Sequence, residues 1–422
     1  MRKLIWVLAA GALLRIVLQF LWSPELGGDA ADYDRLARGL VAGEGLLDAR
    51  GAPTSFRPPL YPLYVAFWYR LISPGTAAVM LSHIVLDLGT TAVVFLLARR
   101  WASERAALLA AGLVALNVAS ISATGRLLSE SLFTLLLVSG VWLGVRWNEV
   151  AGSERPAFLR AAFAGTVFGL AVLTRGVLLP YAPLLVAASA VVARRIIPGT
   201  SIFVVAFLAT LAPWTVRNFR VHGALVPVTT QVGITLYAGF APPGGVFGLQ
   251  PYDSIVRSVE QYTEVEQSRV LTLAALELAA SDPARTAVLE ARKAVYFWSP
   301  VDWEILPRYG MFNPTYAWTV LLALLFMATG HRSDPTRRRH LWPVWAPVLF
   351  VFGMALLFHG SPRYRLPIEP LLAILAASGV SALVERVGTR RTLWTLSGLA
   401  STCLIATVLS DPLRAWVGAW VR

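Results

Sequence analysis

Residues 77–98 read AAVMLSHIVLDLGTTAVVFLLA, an apolar run interrupted only by His83 and Asp87 as ionisable groups. Such a run is long enough to cross the hydrocarbon core of a bilayer, which is roughly 30 Å thick. Comparable runs occur at 4–22, 104–122, 128–146, 160–175, 178–193, 200–214, 315–330, 343–358, 367–385 and 393–409. The sequence therefore predicts an all-α, polytopic transmembrane helical bundle of about 11 spans.

The composition points to the same class. Of 422 residues, 56% are hydrophobic and 14% are charged, which a soluble domain could not accommodate without large exposed apolar patches. The formal net charge is +13. With the N-terminus inside, the N-terminus and the short cytoplasmic loops carry 16 arginines next to anionic headgroups, whereas the short outer loops and the C-terminal tail carry six. The positive charge is thus explained by membrane topology and does not indicate nucleic-acid binding.

Residues 60–73 are apolar but short and rich in tyrosine and tryptophan. If this segment crossed the membrane, every later loop would change sides and the arginine bias would reverse. We therefore interpret it as a helix in the outer interface, where aromatic rings with polar groups are common. The C-terminal residues 411–422 have the apolar face of a second interfacial helix.

Two segments are long enough to lie outside the bilayer, and both fall on the non-cytoplasmic side: 23–76 and 216–312. The first predicts a helix from Asp29 to Leu40 and then a loop that ends at a double proline. The second reads as loop until Pro251 and then as a helical hairpin, whose second helix begins at Asp282-Pro283. We divide the chain into an N-terminal transmembrane module (1–215), a large outer loop (216–312) and a C-terminal transmembrane module (313–422).

Metal and redox chemistry have little support in the sequence. Cys403 is the only cysteine, and the five histidines are scattered without ligand spacing. We expect no cofactor and no dedicated metal site, although the sequence leaves open whether a divalent cation assists.

Several short motifs occur in an order that resembles a known family. They are Gly28-Asp29-x-x-x-Tyr33, Arg57-Pro58-Pro59-Leu60-Tyr61-Pro62, Leu128-Ser129-Glu130-Ser131, Pro213-Trp214-x-x-Arg217-Asn218, Lys293 to Phe297-Trp298-Ser299-Pro300, and Arg363-Tyr364-Arg365-Leu366-Pro367. This order resembles the order of motifs in glycosyltransferase family 39 and its bacterial relatives. They belong to the GT-C superfamily, which includes protein O-mannosyltransferases and lipid A aminoarabinose transferases. The resemblance spans nearly the whole chain.

The resemblance implies an inverting enzyme that moves a sugar from a polyprenyl phosphate to an acceptor hydroxyl at the outer face of the plasma membrane. A hydroxyl is a poor nucleophile, so a carboxylate must take its proton, whereas the phosphate leaving group needs only cations. By its position in the first motif, Asp29 is the expected base. The alternative is that Asp29 only caps the helix that follows it.

The resemblance also implies a set of substrate-binding residues. Arg57 would clamp the donor phosphate, or else contact lipid headgroups. Glu130 would hold donor or acceptor, or else form an interfacial ion pair with Arg126 or Arg175. Arg217, Arg363 and Arg365 would converge on the same anionic group, or else act as interfacial anchors. The aromatic candidates from the same motifs are Tyr33, Tyr61 and Tyr364.

Other ionisable residues receive structural interpretations. His83 and Asp87 are one helical turn apart, which predicts a polar pair that serves helix packing. Asp32 and Asp34 are expected on a solvated helix face, and so is Lys293.

Two other classes of function remain open. A polyprenyl-lipid flippase or other carrier would use similar helices, but carriers usually have two related halves, whereas this chain has a single outer segment of roughly a hundred residues. A non-catalytic protein of envelope assembly is the third possibility. The sequence identifies neither the sugar nor the acceptor, which is a glycan, a lipid or a protein.

Overall fold

The structure is a computed structural model that describes residues 2–21, 27–72, 74–149, 154–186, 199–241, 254–302, 311–330 and 341–392. The last predicted span, the predicted C-terminal interfacial helix and Cys403 lie outside the described residues. The predicted all-α class is confirmed, because helices account for nearly all the regular structure that is described. Strands β1 (Val301–Asp302) and β2 (Met311–Phe312) form one short antiparallel pair.

The helices up to residue 222 are α1 (Arg2–Leu21), α2 (Asp29–Ala42), α3 (Leu60–Leu71), α4 (Thr76–Ala98), α5 (Glu104–Ala115), α6 (Val118–Thr124), α7 (Glu130–Glu149), α8 (Glu154–Thr174), α9 (Gly176–Val186) and α10 (Thr200–His222). Those that follow are α11 (Val232–Phe240), α12 (Ser254–Ser258), α13 (Glu264–Ser281), α14 (Pro283–Trp298), α15 (Pro314–Gly330), α16 (Trp342–Leu357) and α17 (Pro362–Val387).

Among the described residues, four helices are long and apolar enough to cross a membrane: α4, α8 from Ala157, α10 and α17. The bent pair α5–α6 would make a fifth, and α9, α15 and α16 are shorter apolar helices. The predicted count of 11 spans is therefore not confirmed. The prediction that 60–73 forms a short helix is confirmed by α3.

The span predicted at 104–122 is broken in the structure. Helices α5 and α6 meet at an angle of 50°. Asn117 causes the restart, because its side chain accepts hydrogen bonds from the backbone N–H groups of Ala119 and Ser120. A polar side chain that caps a new helix offers the backbone an alternative to continuous helix, which periodicity alone does not reveal.

The predicted pair of His83 and Asp87 is wrong, although both side chains are buried. Asp87 pairs with Arg15 of α1 and accepts a hydrogen bond from Ser120 of α6 at 2.7 Å. His83 lies 3.1 Å from the Tyr61 hydroxyl of α3 instead. Their role in helix packing holds, because each joins α4 to a different neighbour.

Close helix packing in the N-terminal half depends on small residues. A Cβ atom at Gly165 of α8 would lie 2.2 Å from the carbonyl oxygen of Phe203 in α10, and one at Gly169 would lie 2.7 Å from Cβ of Thr210. Glycines four residues apart on one helix face let two backbones approach closely. This contact holds α10 against α8 and thereby directs the C-terminal end of α10 towards the outer segments.

Each outer segment packs within itself and against the helical bundle. In the first segment α2 packs against α3, which contacts α4 and α8; in the second α13 packs against α11, and α14 contacts α16. The predicted hairpin is confirmed: Asp282 caps α14 by accepting a hydrogen bond from the Arg285 N–H, and α14 ends at Trp298. The loop predicted from 216 to 250 is wrong in part, because α10 continues to His222 and α11 occupies Val232–Phe240.

Candidate active site

The first turn of α2 presents Asp29 to two arginines from distant parts of the chain. Its Oδ1 accepts a hydrogen bond from Nη2 of Arg57 at 2.6 Å, and its Oδ2 lies 2.8 Å from Nη1 of Arg363. Arg57 precedes α3 after the loop from α2, and Arg363 lies in the first turn of α17. Both carboxylate oxygens of Asp29 are therefore occupied by guanidinium groups.

Asp29 is not the N-cap of α2. That position is Gly28, whose φ of +55° lies in the left-handed region that glycine adopts readily, and no side-chain capping bond is present there. The cap alternative raised by the sequence is therefore wrong. Because Gly28 makes the turn before α2, the Asp29 carboxylate forms no capping bond and faces the arginines.

The electrostatics of Asp29 follow from its position. Burial by itself raises the pKa of the Asp29 carboxyl, but attraction to Arg363 and Arg57 outweighs this and lowers the pKa to about 2. The side chain is nevertheless 30% exposed. The carboxylate is therefore ionised at neutral pH and reached by solvent, but it is a weak base while both arginines hold it.

Glu130 forms a second centre of charge beside Asp29. At the first position of α7 and almost fully buried, it pairs through Oε1 with Arg363 and with Nη2 of Arg175, the latter at 2.7 Å. Arg175 also donates to Ser129 Oγ at 3.1 Å. Of the alternatives for Glu130, an ion pair with Arg175 is present, and Arg363 links that pair to Asp29.

Two buried polar atoms in this cluster have no hydrogen-bond partner within the described part of the chain. They are Oε2 of Glu130 and Nη2 of Arg363. Buried polar atoms are normally satisfied, so unpaired ones indicate a position that water or a bound group fills. Arg363 thus has one guanidinium nitrogen available beyond its pairs with Asp29 and Glu130.

An aromatic wall closes one side of the cluster. Tyr33 of α2 meets Tyr61 of α3 edge to face, with 4.6 Å between ring centroids, and both rings are buried. The Arg57 guanidinium lies 5.5 Å from the Tyr33 centroid. This stack packs α2 against α3 and supports the guanidinium next to Asp29.

The interpretation of Asp34 as a solvated position is wrong, and that of Asp32 is incomplete, because its side chain is 34% exposed but contacts Arg57. Asp32 accepts from Nη2 of Arg57 at 2.9 Å, so it belongs to the Asp29 cluster. Asp34 accepts from the Tyr69 hydroxyl at 2.6 Å and from Arg38 Nε at 2.8 Å. Asp34 therefore ties α2 to α3 on another side of the helix.

The structure does not bring Arg217 and Arg365 to Asp29. Arg365 is fully buried, donates to Glu369 at 2.8 Å and to the Phe297 carbonyl at 2.6 Å, and stacks on Tyr316. Arg217 donates to the Thr54 carbonyl and to Ser55 Oγ, both at 2.8 Å. The expected convergence of three arginines therefore holds only for Arg363.

Tyr364, the last of the predicted site residues, lies near the cluster. Lys293, in contrast, does not lie on the solvated helix face that was expected for it. The Tyr364 ring lies 5.9 Å from the Arg175 guanidinium. Lys293 is fully buried, so its placement on a solvated face is wrong. Its Nζ donates to Glu290 at 2.8 Å and to the Leu356 carbonyl at 2.7 Å, and the second contact joins a distant segment that sequence periodicity does not identify.

Sequence reasoning named Arg175 only as a possible ion-pair partner of Glu130 and not as a site residue, and it missed Asp32 as a member of the cluster. Arg175 was visible as one of few arginines in a short outer loop, which is the signal that could have identified it. Asp32 lies three residues after Asp29, so the two carboxylates share a helix face.

Within the described residues, no group of three or more His, Cys, Asp and Glu is arranged to hold a metal ion, and the expectation of no cofactor stays a prediction.

Comparison with known proteins gives one matching family and several similar folds. Residues 56–216 match the family described as dolichyl-phosphate-mannose-protein mannosyltransferase. No curated protein matches the chain in sequence.

The fold is similar to two membrane glycosyltransferases of known structure. ArnT from Cupriavidus metallidurans, bound to undecaprenyl phosphate, has a TM-score of 0.54 and 16% identity, with 97% of this chain and 65% of that chain covered. The oligosaccharyltransferase of Archaeoglobus fulgidus, tethered with an acceptor peptide, has a TM-score of 0.59 and 16% identity, with 99% and 55% covered. The same enzyme in complex with an inhibitory peptide and a dolichol-phosphate has a TM-score of 0.54 and 15% identity, with 99% and 56% covered.

This chain spans between 55% and 65% of the length of those proteins. At such low identity the likeness shows a common fold, and the sequence match covers residues 56–216, which include Arg57 and Glu130 but not Asp29 or Arg363. Together, the family match over residues 56–216 and the fold over almost the whole chain confirm the resemblance to the GT-C membrane glycosyltransferases.

Proposed function

We propose that this protein is an integral membrane glycosyltransferase. It transfers a sugar from a polyprenyl-phosphate donor to an acceptor hydroxyl at the non-cytoplasmic face of the plasma membrane, with inversion at the anomeric carbon. The observation that carries the proposal is the Asp29 carboxylate held between Arg57 and Arg363. Binding of undecaprenyl phosphate and dolichol-phosphate by proteins of the same fold supports a polyprenyl-phosphate donor.

In this reaction Asp29 takes the proton of the acceptor hydroxyl as the hydroxyl oxygen bonds to the anomeric carbon. The bond between that carbon and the phosphate oxygen breaks, and its electron pair leaves on the lipid phosphate. Arg57 and Arg363 stabilise this negative charge. A phosphate is already a good leaving group when its charge is neutralised, so the mechanism needs no general acid.

The donor phosphate has a second role, which is to release Asp29 from its ion pairs with the arginines. Both oxygens of Asp29 are occupied by arginines, which makes the carboxylate a weak base. A donor phosphate offers oxygens that compete for the same guanidinium groups, and Arg363 Nη2 is the unpaired donor that can engage it first. When the arginines turn to the phosphate, the Asp29 carboxylate is released for the acceptor.

The side of the membrane follows from the charge distribution. Among the short loops and termini, arginines concentrate on the side opposite to the segment that carries Asp29 and Arg57, and it is the short loops that set topology. An outer site would receive the donor lipid sideways from the outer leaflet, and the acceptor from outside.

The test compares Asp29→Asn with Asp34→Asn, the same change on the same helix but outside the cluster. Transfer from radiolabelled polyprenyl-phosphate sugar should be abolished in Asp29→Asn and persist in Asp34→Asn, while both variants still bind the lipid. A carrier or a non-catalytic envelope protein would transfer no label even as wild type, and that result would overturn the proposal.

A further inference from the structure

The first residue of α13, Glu264, binds the loop that leads to Arg57. Its carboxylate accepts hydrogen bonds from the Ser55 backbone N–H at 3.0 Å, from the Thr230 hydroxyl at 2.9 Å and from the Thr54 hydroxyl. Thr54 belongs to the first outer segment and Thr230 to the second. One side chain thus joins the two outer segments.

The same loop is held along its length. The Thr230 N–H donates to the Ser55 carbonyl at 3.1 Å, and the Thr229 hydroxyl donates to the carbonyl of Phe56. Two prolines follow Arg57 directly and restrict the backbone on its other side. The backbone of Arg57 is therefore fixed by contacts that Arg57 does not make itself.

Helix α14 of the same hairpin supports the segment that leads to Arg363. Nζ of Lys293 donates to the Leu356 carbonyl at 2.7 Å, in the last turn of α16, and to Glu290 at 2.8 Å. A lysine is favourable there because the carbonyl groups of a last helical turn have no partner within the helix. Burial lowers the pKa of Lys293, although Glu290 opposes this shift.

The chain between Leu356 and Arg363 also touches α14 directly. A Cβ atom at Gly360 would lie 2.5 Å from Cα of Lys293, so only glycine fits this approach. After Arg363, the buried Arg365 donates to the Phe297 carbonyl of α14 at 2.6 Å. Contacts with α14 therefore flank Arg363 on both sides.

We infer that the outer hairpin α13–α14 is a positioning element for the two arginines that hold Asp29, with Glu264 acting through Arg57 and Lys293 acting through Arg363. Neither residue touches Asp29; each fixes the backbone from which a guanidinium group reaches it. The hairpin thereby sets the separation of the two cations that receive the donor phosphate, so this inference rests on the proposed function.

The experiment is a crossed set of double-mutant cycles on the full chain in nanodiscs, with binding of undecaprenyl phosphate as the readout. Glu264→Gln should weaken binding by roughly tenfold in the wild-type background and should have no further effect in Arg57→Ala. Lys293→Met should lose its effect in Arg363→Ala and keep it in Arg57→Ala. Glu277→Gln, an exposed glutamate on the same helix, is the matched control and should bind as wild type.

A general loss of stability would give a different pattern. Its effect would add to that of either arginine substitution, and this additivity would overturn the inference, as would wild-type affinity in Glu264→Gln. If Glu264→Gln lowers the melting temperature, Thr54→Val removes one hydrogen bond to the same carboxylate and enters the same cycle. A wild-type protein that does not bind undecaprenyl phosphate overturns the proposed function itself, which is a separate outcome.

Discussion

Arg363, in the first turn of α17, lies 2.8 Å from the Asp29 carboxylate in the first turn of α2. These residues come from opposite ends of the chain. Their pair closes the helical bundle at the same point where Arg57 enters from the loop before α3. The site thus exists only when the first outer segment and the last described span are both in place.

The pair of neighbouring arginines Arg363 and Arg365 gives a direct test of this geometry. Arg363→Gln should reduce kcat/KM by roughly tenfold to hundredfold, because hydrogen bonds to a charged group are lost at the site. Arg365→Gln should lower the melting temperature instead, since it leaves the buried Glu369 without its cation. Transfer kinetics and thermal unfolding of both variants in detergent separate the two effects.

If folded Arg365→Gln lowers kcat/KM as strongly as Arg363→Gln does, this assignment is wrong, and Arg365 contributes to the site despite its burial.

The pH dependence of the reaction should report the release of Asp29. The folded state lowers the pKa of this carboxyl from 3.8 to about 2, so its contribution to stability is complete above the higher value and is lost as the pH falls towards the lower one. In the free enzyme the base is therefore ionised down to strongly acidic pH. When the donor phosphate neutralises the arginines, the pKa should rise.

We accordingly expect the acidic limb of kcat to lie at higher pH than that of kcat/KM, because kcat reports the enzyme–substrate complex and kcat/KM the free enzyme. Steady-state profiles with a fixed acceptor measure both limbs. Coincident limbs would show that the donor does not change the surroundings of Asp29. Asp34→Asn should leave both profiles unchanged.

Close packing of α8 and α10 predicts a stability defect far from the site. Gly165→Ala should destabilise the protein by about 1–3 kcal/mol, because the added methyl group meets the backbone of α10. Gly112→Ala in α5 is the control: a Cβ atom there meets nothing within 4 Å, and alanine favours a helix more than glycine does. Unfolding monitored by circular dichroism in detergent compares the two variants.

Stability equal to wild type in Gly165→Ala would mean that α10 can move away from α8 without cost. In that case its C-terminal end, with Arg217 and Asn218, would not be rigidly directed at the Arg57 loop.

Local sequence signals predicted the elements that carry the site. The Asp282-Pro283 pair marked the start of α14, and the apolar stripe after Asp29 marked α2, because caps and periodicity depend on neighbours in the chain. The break at Asn117 and the burial of Lys293 were not predicted. The break depends on a local cap, in which Asn117 accepts hydrogen bonds from the backbone N–H groups of Ala119 and Ser120, and hydrophobic periodicity does not reveal such a cap. The burial of Lys293 depends on a group distant in sequence, the carbonyl of Leu356.

The sequence by itself determined the membrane-protein class, the helical architecture and the presence of Asp29, Arg57 and Arg363 in outer motifs, because hydrophobic length and motif order are properties of the linear chain. Only the tertiary structure decided which charges meet. It joined Arg363 but not Arg365 to Asp29, and it added Asp32 and Arg175 to the cluster. It placed Arg217 on the Thr54 carbonyl and the Ser55 hydroxyl instead. Ion pairs between distant residues depend on where packed helices end relative to one another, and the hydrophobic pattern of each helix does not contain that information.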